Sequence, residues 1–384
     1  MSDDLIRTKL RAPFTRAELV DRPRLRDAIA RGLRGPLTLV TAPAGFGKTT
    51  LVAAAVQGLA LPMAWLTLNH QDSQARRFLT YLVAALRAAD ASLAGEAARR
   101  LASPLPTPVD VVLTNLVNDL VEYASDVVLV LDDYYTIAGQ AVHDAVVFLL
   151  AYMPPNLHLI IASRSDPPLP LARLRARGQV VELRAADLKF TTAEAGRFLN
   201  NAMGLSLDAG AVAALGERTE GWIAGLQMAG LSLRHRDDAS AFVEGFSGTH
   251  RYIFDYLLEE VLSCQSPEIR RFLLRTSILA RLMAPLCDAV LAELGGCDAV
   301  LDRLERDNLF LVPLDDDRTW YRYHHLFADL LGACLQQELG ANDVAALHAR
   351  AALWHDERGL TDVAISHAAL AKDDAYVERL IERN

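Results

Sequence analysis

The segment Ala42-Pro43-Ala44-Gly45-Phe46-Gly47-Lys48-Thr49 brings two glycines, a lysine and a hydroxyl together in an order suited to holding a polyphosphate. Glycines let backbone amides approach phosphate oxygens closely, a lysine reaches the outer phosphates, and a threonine hydroxyl ligates magnesium. Gly45 and Gly47 supply the room, with Ala44 and Phe46 interleaved, while Lys48 supplies charge and Thr49 the hydroxyl. Ala42 stands where the usual P-loop pattern begins with glycine. Thr50 either touches the α phosphate or simply belongs to the first turn of the following helix. The competing reading is a Gly-rich turn before an ordinary helix. It is disfavoured because the loop follows a strand candidate and opens a helix whose amides favour an anion. Lys48 is also one of only four lysines, with Lys9, Lys189 and Lys372; the other basic side chains of this type are arginines.

Asp132 and Asp133 follow the most apolar run of the chain, Val127-Val128-Leu129-Val130-Leu131. In open α/β sheets ligands bind at the carboxyl ends of strands. There Asp132 would hold magnesium through its water shell, and Asp133 would position or deprotonate an attacking water. The alternative is a solvated loop or a helix cap. In chain order a further strand, containing Trp65, lies between the P-loop strand and Val127–Leu131. That order suggests a P-loop class with an extra central strand, ending at Ser163-Arg164. Arg164 would then face the γ phosphate and sense its presence; otherwise it is a surface arginine before the Asp166-Pro167-Pro168 turn.

These residues need a parallel sheet covered by helices on both faces, which short apolar runs alternating with helical patterns predict. Strands are expected at 37–41, 63–68, 127–131, 157–162 and 180–183. Helices are expected at about 48–57, 73–89, 109–123 and 140–152, with a proline-interrupted stretch at Pro104, Pro106 and Pro108. From Thr191 helical patterns dominate, opening with Thr192-Ala193-Glu194. Leu309–Pro313 and Trp320–Tyr323 read as a small hairpin within a winged helix. Residues 344–384 read as amphipathic helices around Gly359, with Ala349, Leu353, Trp354, Ala364 and His367 on packing faces. Trp65 and Trp320 are expected in the core.

The chain has 384 residues, 52% hydrophobic and 23% charged, enough for two to four structural units. Its net charge of −9 argues against a uniformly basic nucleic-acid surface. Cys264, Cys287, Cys297 and Cys334 are scattered and read as buried thiols in a reducing compartment. There is no apolar run of membrane-spanning length, and the Met1-Ser2-Asp3-Asp4 start lacks a secretory pattern. A cytoplasmic chain without membrane contact is expected.

Beyond the P-loop, Ala64-Trp65-Leu66, Asp132-Asp133-Tyr134, Ser163 to Arg175, Glu220-Gly221-Trp222 and Tyr323-His324-His325-Leu326-Phe327 stand in a fixed succession. Together these resemble the STAND class of signal-transduction ATPases, particularly the large ATP-binding LuxR-type regulators related to the maltose regulator. The resemblance spans nearly the whole chain. It implies a multidomain α/β plus α fold, with a P-loop nucleotide-binding domain (1–187), a helical lid (188–260), a winged helix (261–340) and a helical arm entering a sensor superhelix (341–384). It also implies ATP or ADP with magnesium as ligands, a closed ADP-bound resting state, and self-association with ATP and an unidentified inducer. Hydrolysis would be slow, and no direct DNA binding is expected from this region. By position, Val20 and Arg22 would lie by the adenine, Trp222 would line the same pocket although other branches have proline there, and His324 would touch the ADP β phosphate. Without the resemblance, His324 reads as a packed or capping residue, and His325 keeps that reading. An ADP-holding module without turnover and an AAA+-type motor are the alternatives.

Overall fold

The computed structural model describes residues 5–14, 19–59, 61–103, 105, 107–234, 242–243, 245–292 and 296–383. Residues 1–4, Pro104 and Pro106 thus lie outside the described residues. The chain divides into two compact units, Met1–Lys189 and Phe190–Asn384.

The first unit is built on five parallel strands: β1 (Leu37–Thr41), β2 (Met63–Thr67), β3 (Val127–Asp132), β4 (Leu157–Ser163) and β5 (Val180–Leu183). Every residue of β1, β3 and β4 is buried, as near-continuous apolar strands covered on both faces must be. Their order is β2-β3-β4-β1-β5. The strand between the P-loop strand and the carboxylate strand is therefore β4, as expected for the extra central strand. Trp65 sits instead on edge strand β2, yet is only 1% exposed, with its indole N–H donating to Thr67 Oγ1 at 2.9 Å.

Six main helices accompany the sheet: α1 (Pro23–Gly32), α2 (Lys48–Gln57), α3 (Ala75–Ala89), α4 (Gly95–Ala102), α5 (Val109–Val121) and α6 (Gln140–Tyr152). Helix α3 starts two residues later than expected because His70–Ser73 forms a 3-10 turn. There the Asn69 N–H donates to Asp72 Oδ2 at 2.9 Å, and the fully buried Asp72 also pairs with Lys9 and, at 3.1 Å, with Arg77. The sequence pattern did not suggest α4. Its first amides, on Glu96 and Ala97, donate to Asp119 Oδ2 on α5 at 2.9 and 3.1 Å, a cap supplied from more than twenty residues away.

Among the described residues the second unit is mainly helical, with a two-stranded hairpin. The Thr191–Glu194 capping box opens its first helix, with reciprocal bonds of 3.2 and 3.0 Å. The hairpin consists of β6 (Leu311–Pro313) and β7 (Tyr321–Tyr323), antiparallel, with Leu311 opposite Tyr323. It is shorter than expected, because the Asp315 carboxylate takes the amides of Thr319 and Trp320 into the turn. Trp320 consequently is only half-buried, which corrects its assignment to the core. Two further expectations fail: Cys264 is exposed, and Leu353 points outward at 52% exposure.

Helices Ala341–Asp356, Thr361–Leu370 and Asp374–Glu382 follow, the first two separated by a turn at Gly359 with φ of 72°. Between the first two helices lie three buried histidines. His348 Nδ1 meets His367 Nδ1 at 2.9 Å, and the His355 ring stacks on His367 with centroids 5.6 Å apart. One Nδ1 must donate and the other accept, so at least one ring of the pair must stay uncharged. Burial, followed by the charges of His348 and His355, pushes His367 down to about 4. Burial also lowers His348, and burial with the neighbouring Arg358 lowers His355. The unfolded chain binds protons that this cluster refuses, so stability is full above the ordinary histidine value of 6.5 and is lost as pH falls toward 4. Thermal unfolding followed across that window should therefore show a falling Tm for the second unit. The His367→Asn variant should show a shallower slope, and equal slopes would disprove the linkage.

Candidate functional site

The phosphate-type loop joins the end of β1 to α2. Its left-handed residues are Gly45 and Gly47, with φ of 74° and 76°, where a Cβ would be strained. Ala42 is not among the left-handed residues, which is why alanine serves where the usual pattern has glycine. Gly47 is the N-cap of α2 and provides no side-chain cap. Lys48 is buried, and its ammonium donates to the carbonyls of Ala42 and Pro43 at 2.8 and 2.9 Å, spanning the loop from within. Burial, with the repulsion of Arg164, lowers its pKa to about 8 against the opposing pull of Asp133 and Asp132. Ala44 and Phe46 are buried, Gly45 and Thr49 half-buried, and Thr50 exposed in the first turn.

Asp132 is the last residue of β3 and is buried, and Thr49 Oγ1 donates to its Oδ1 at 3.0 Å. Burial and then the Asp133 charge raise its pKa to about 6, while the bonds from Thr49 and the backbone and the charge of Lys48 counter this. Asp133 is left-handed, with φ of 55°, so the chain turns sharply where β3 ends. Arg164 follows β4 directly and is half-buried, its guanidinium 4.6 Å from the Tyr135 ring centroid. The turn after it is fixed from β5's end: Arg184 donates to Thr41 Oγ1 at 2.7 Å and pairs with Asp166 and Glu182. Lys48, Thr49, Asp132, Asp133 and Arg164 thus converge at the carboxyl ends of three adjacent strands.

The other sequence candidates occupy different surroundings. Val20 is half-buried. The Arg22 guanidinium donates to the carbonyls of Leu188 and Lys189 at 2.9 and 2.8 Å, and Arg24 to Asp187 and Lys189, so both tie the start of α1 to the end of the first unit. Trp222 and His324 belong to the second unit and lie together there. Trp222 is fully buried against Phe310, Tyr256 and His324, with ring centroids 5.3, 5.7 and 6.0 Å away. His324 Nε2 donates to the Thr219 carbonyl at 3.0 Å, and its backbone N–H to Phe310 O at 2.8 Å. His325 is exposed.

Sequence reasoning assigned no role to Glu220 or Arg322, which clamp this cluster. Arg322 donates to both Glu220 oxygens at 2.7 and 2.9 Å, and the His325 N–H adds a third bond at 3.1 Å. Despite burial, these bonds hold the Glu220 carboxyl well below the usual range. Glu220 and Phe310, both left-handed with φ of 50° and 54°, flank Trp222 and His324. Glu220 stood beside Gly221-Trp222 in the quoted motif, but its partner lies 102 residues away.

The donor set fits a nucleotide with magnesium. Helix α2 opens on amides that no side chain caps, beside a buried ammonium, which suits an anion. The paired oxygens of Thr49 and Asp132 suit a hard cation. Among the described residues no cluster of three His, Cys, Asp or Glu side chains could hold a metal alone, so phosphate oxygens and water would have to complete such a site. Among the described residues no helix is long and apolar enough to cross a membrane.

Comparison with known proteins places this geometry. The MalT winged helix domain model matches residues 258–342. The chain is 37% identical over 380 residues to the serine/threonine-protein kinase PknK of Mycobacterium tuberculosis, covering 98% of this chain and 34% of that one. It is 35% identical over 384 residues to the HTH-type transcriptional regulator MalT of Serratia proteamaculans, covering 98% and 42% respectively. It thus spans between a third and a half of the length of the curated relatives it matches. The Walker-type ATPase paby2304 of Pyrococcus abyssi superposes with a TM-score of 0.56 at 18% identity, over 84% of this chain and 98% of that chain, which shows a common fold.

The clamp makes a direct prediction. Glu220→Gln should lower the stability of the second unit by about 1–3 kcal/mol, because Arg322 is left without its countercharge. Denaturant unfolding followed by tryptophan fluorescence would measure this, and an unchanged midpoint would remove Glu220 from the clamp.

Proposed function

Because the chain belongs to the MalT-like, STAND-class P-loop proteins, we propose that it is the nucleotide-driven switch of a transcriptional activator, binding ATP and ADP and hydrolysing ATP slowly. The observation that carries this reading is the Thr49–Asp132 bond of 3.0 Å beside the buried Lys48. It joins the phosphate-binding loop after β1 to a magnesium-type carboxylate at the end of β3, across the central strand β4.

In this reading the amides from Ala44 to Thr50 hold the phosphates, and Lys48 neutralises the outer ones. Thr49 and Asp132 would hold magnesium, which would supply neutralisation of phosphate charge. Asp133 orients a water and accepts its proton on a carboxylate oxygen. Arg164 meets the γ phosphate and so distinguishes ATP from ADP. Val20, Arg22 and Trp222 are assigned to the adenine, and His324 to the ADP β phosphate.

Residues 1–187 would form the nucleotide-binding domain, 188–260 the lid, 261–340 the winged helix and 341–384 the entry to a sensor. The chain would rest closed with ADP and self-associate with ATP and an inducer. Such a switch needs each ligand to bind one state more tightly than the other. The alternative, an ADP-holding module without turnover, shares every binding residue and differs only at Asp133.

Lys48→Ala should weaken ATP binding about 10- to 150-fold, the value of a charge-assisted hydrogen bond, and abolish ATP-dependent assembly in size-exclusion chromatography. Unchanged affinity and assembly would overturn the switch. Asp133→Asn should reduce phosphate release about 100-fold or more while ATP affinity stays within a factor of two or so. If the unmodified chain releases no phosphate above background, the ADP-holding reading replaces hydrolysis.

A further inference from the structure

The geometry points to Tyr135 as a positioning residue for Arg164, its ring holding the guanidinium in place so that the γ phosphate of ATP meets an ordered cation. This rests on the reading of Arg164 as the γ-phosphate contact. The two adjacent tyrosines after Asp133 have opposite surroundings. Tyr134 is 1% exposed, and its hydroxyl meets His143 Nδ1 at 3.0 Å, which anchors the turn in the core. Tyr135 is 36% exposed and turns its ring to Arg164, with the guanidinium carbon 4.6 Å from the centroid. Core packing accounts for Tyr134 but not for a large aromatic ring left at the surface beside it.

The platform that presents the ring is rigid. Thr136 donates both its N–H, at 3.1 Å, and its hydroxyl, at 2.9 Å, to the Asp133 carbonyl, and the Ile137 N–H donates to Tyr134 O at 3.1 Å. Arg164, by contrast, sits at the end of a long, many-rotamer side chain just past β4. It also carries the same charge as Lys48, which favours its swinging away from the loop. The ring face opposes both tendencies by attracting the cation and restricting its rotamers. Because ADP lacks the γ phosphate, this ordering assists ATP alone. Tyr135 therefore sets the preference of the site for ATP over ADP and leaves ADP affinity untouched.

The test measures dissociation constants of the full chain for ADP and for a non-hydrolysable ATP analogue, in Tyr135→Leu, Tyr135→Phe, Arg164→Ala and the double variant Tyr135→Leu/Arg164→Ala. Tyr135→Leu should reduce the preference for the ATP analogue about two- to fivefold, the range of an exposed cation–π contact, without changing ADP affinity. Tyr135→Phe, which keeps the ring, should retain the preference, and in the Arg164→Ala background Tyr135→Leu should have no additional effect. The proposal falls if Tyr135→Leu leaves the preference unchanged, raises it, weakens both nucleotides equally, or acts as strongly without Arg164. If Arg164→Ala shifts the preference while Tyr135→Leu does not, only the role of Tyr135 is lost. If Arg164→Ala itself has no effect, the γ-phosphate reading fails and the proposal fails with it.

Discussion

A buried lysine ammonium is the constraint around which the first unit is arranged. An ammonium removed from water is costly unless hydrogen bonds and opposite charge replace its hydration. Lys48 obtains its bonds from two carbonyls of its own loop, and opposite charge from Asp132 and Asp133 at the end of β3, two strands over. Strand β4 lies between β1 and β3 in parallel register, with Thr41 opposite Ser163 and Leu131 opposite Ile161, and so sets the spacing across which the carboxylates act on the ammonium. The continuous apolar runs of these strands bury them on both faces and fix the order, so the packing of the sheet decides which charged groups meet. Arg164 enters the same field as a repelling cation, and the Tyr135 ring offsets that repulsion locally.

The second unit solves a different problem, that of holding a strained aromatic cluster. Glu220 and Phe310 adopt left-handed backbone, which costs about 1–2 kcal/mol for a residue other than glycine. Phe310 recovers this through ring contacts with Trp222, His324 and Phe327. Glu220 recovers it through Arg322 and the amide of His325. Strain of this size persists only where surrounding contacts over-determine it, and here those contacts join the segment before Ile223 to the hairpin and the helix after it.

The sequence showed the site wherever the chemistry was local. The P-loop lies in eight consecutive residues, and Asp132 ends an apolar run that could only be a buried strand. Arg164 needed the further step of placing β4 in the sheet, which the order of strand candidates allowed. What was not legible depends on partners distant in the chain. Helix α4 is capped by Asp119, and Arg22 is anchored by carbonyls more than 160 residues away. A large ring like that of Trp320 usually packs, but the Asp315 turn keeps it half-exposed. Leu353 and Cys264 failed for the same reason: residue type gives a tendency to burial, and the neighbouring elements decide it.

The bond from His324 to the Thr219 carbonyl carries the argument one step further. A carbonyl oxygen only accepts, so this bond places a proton on Nε2. Thr219 and Glu220 belong to the turn that carries Trp222, and Glu220 is held in turn by the strand that leads into His324. The imidazole, the indole and the carboxylate therefore form one mechanical unit. A cluster built in this way has few intermediate positions, because its rings interlock and its ion pair is bidentate. The turn at 219–222 and the hairpin are thereby held to the imidazole by the same contacts.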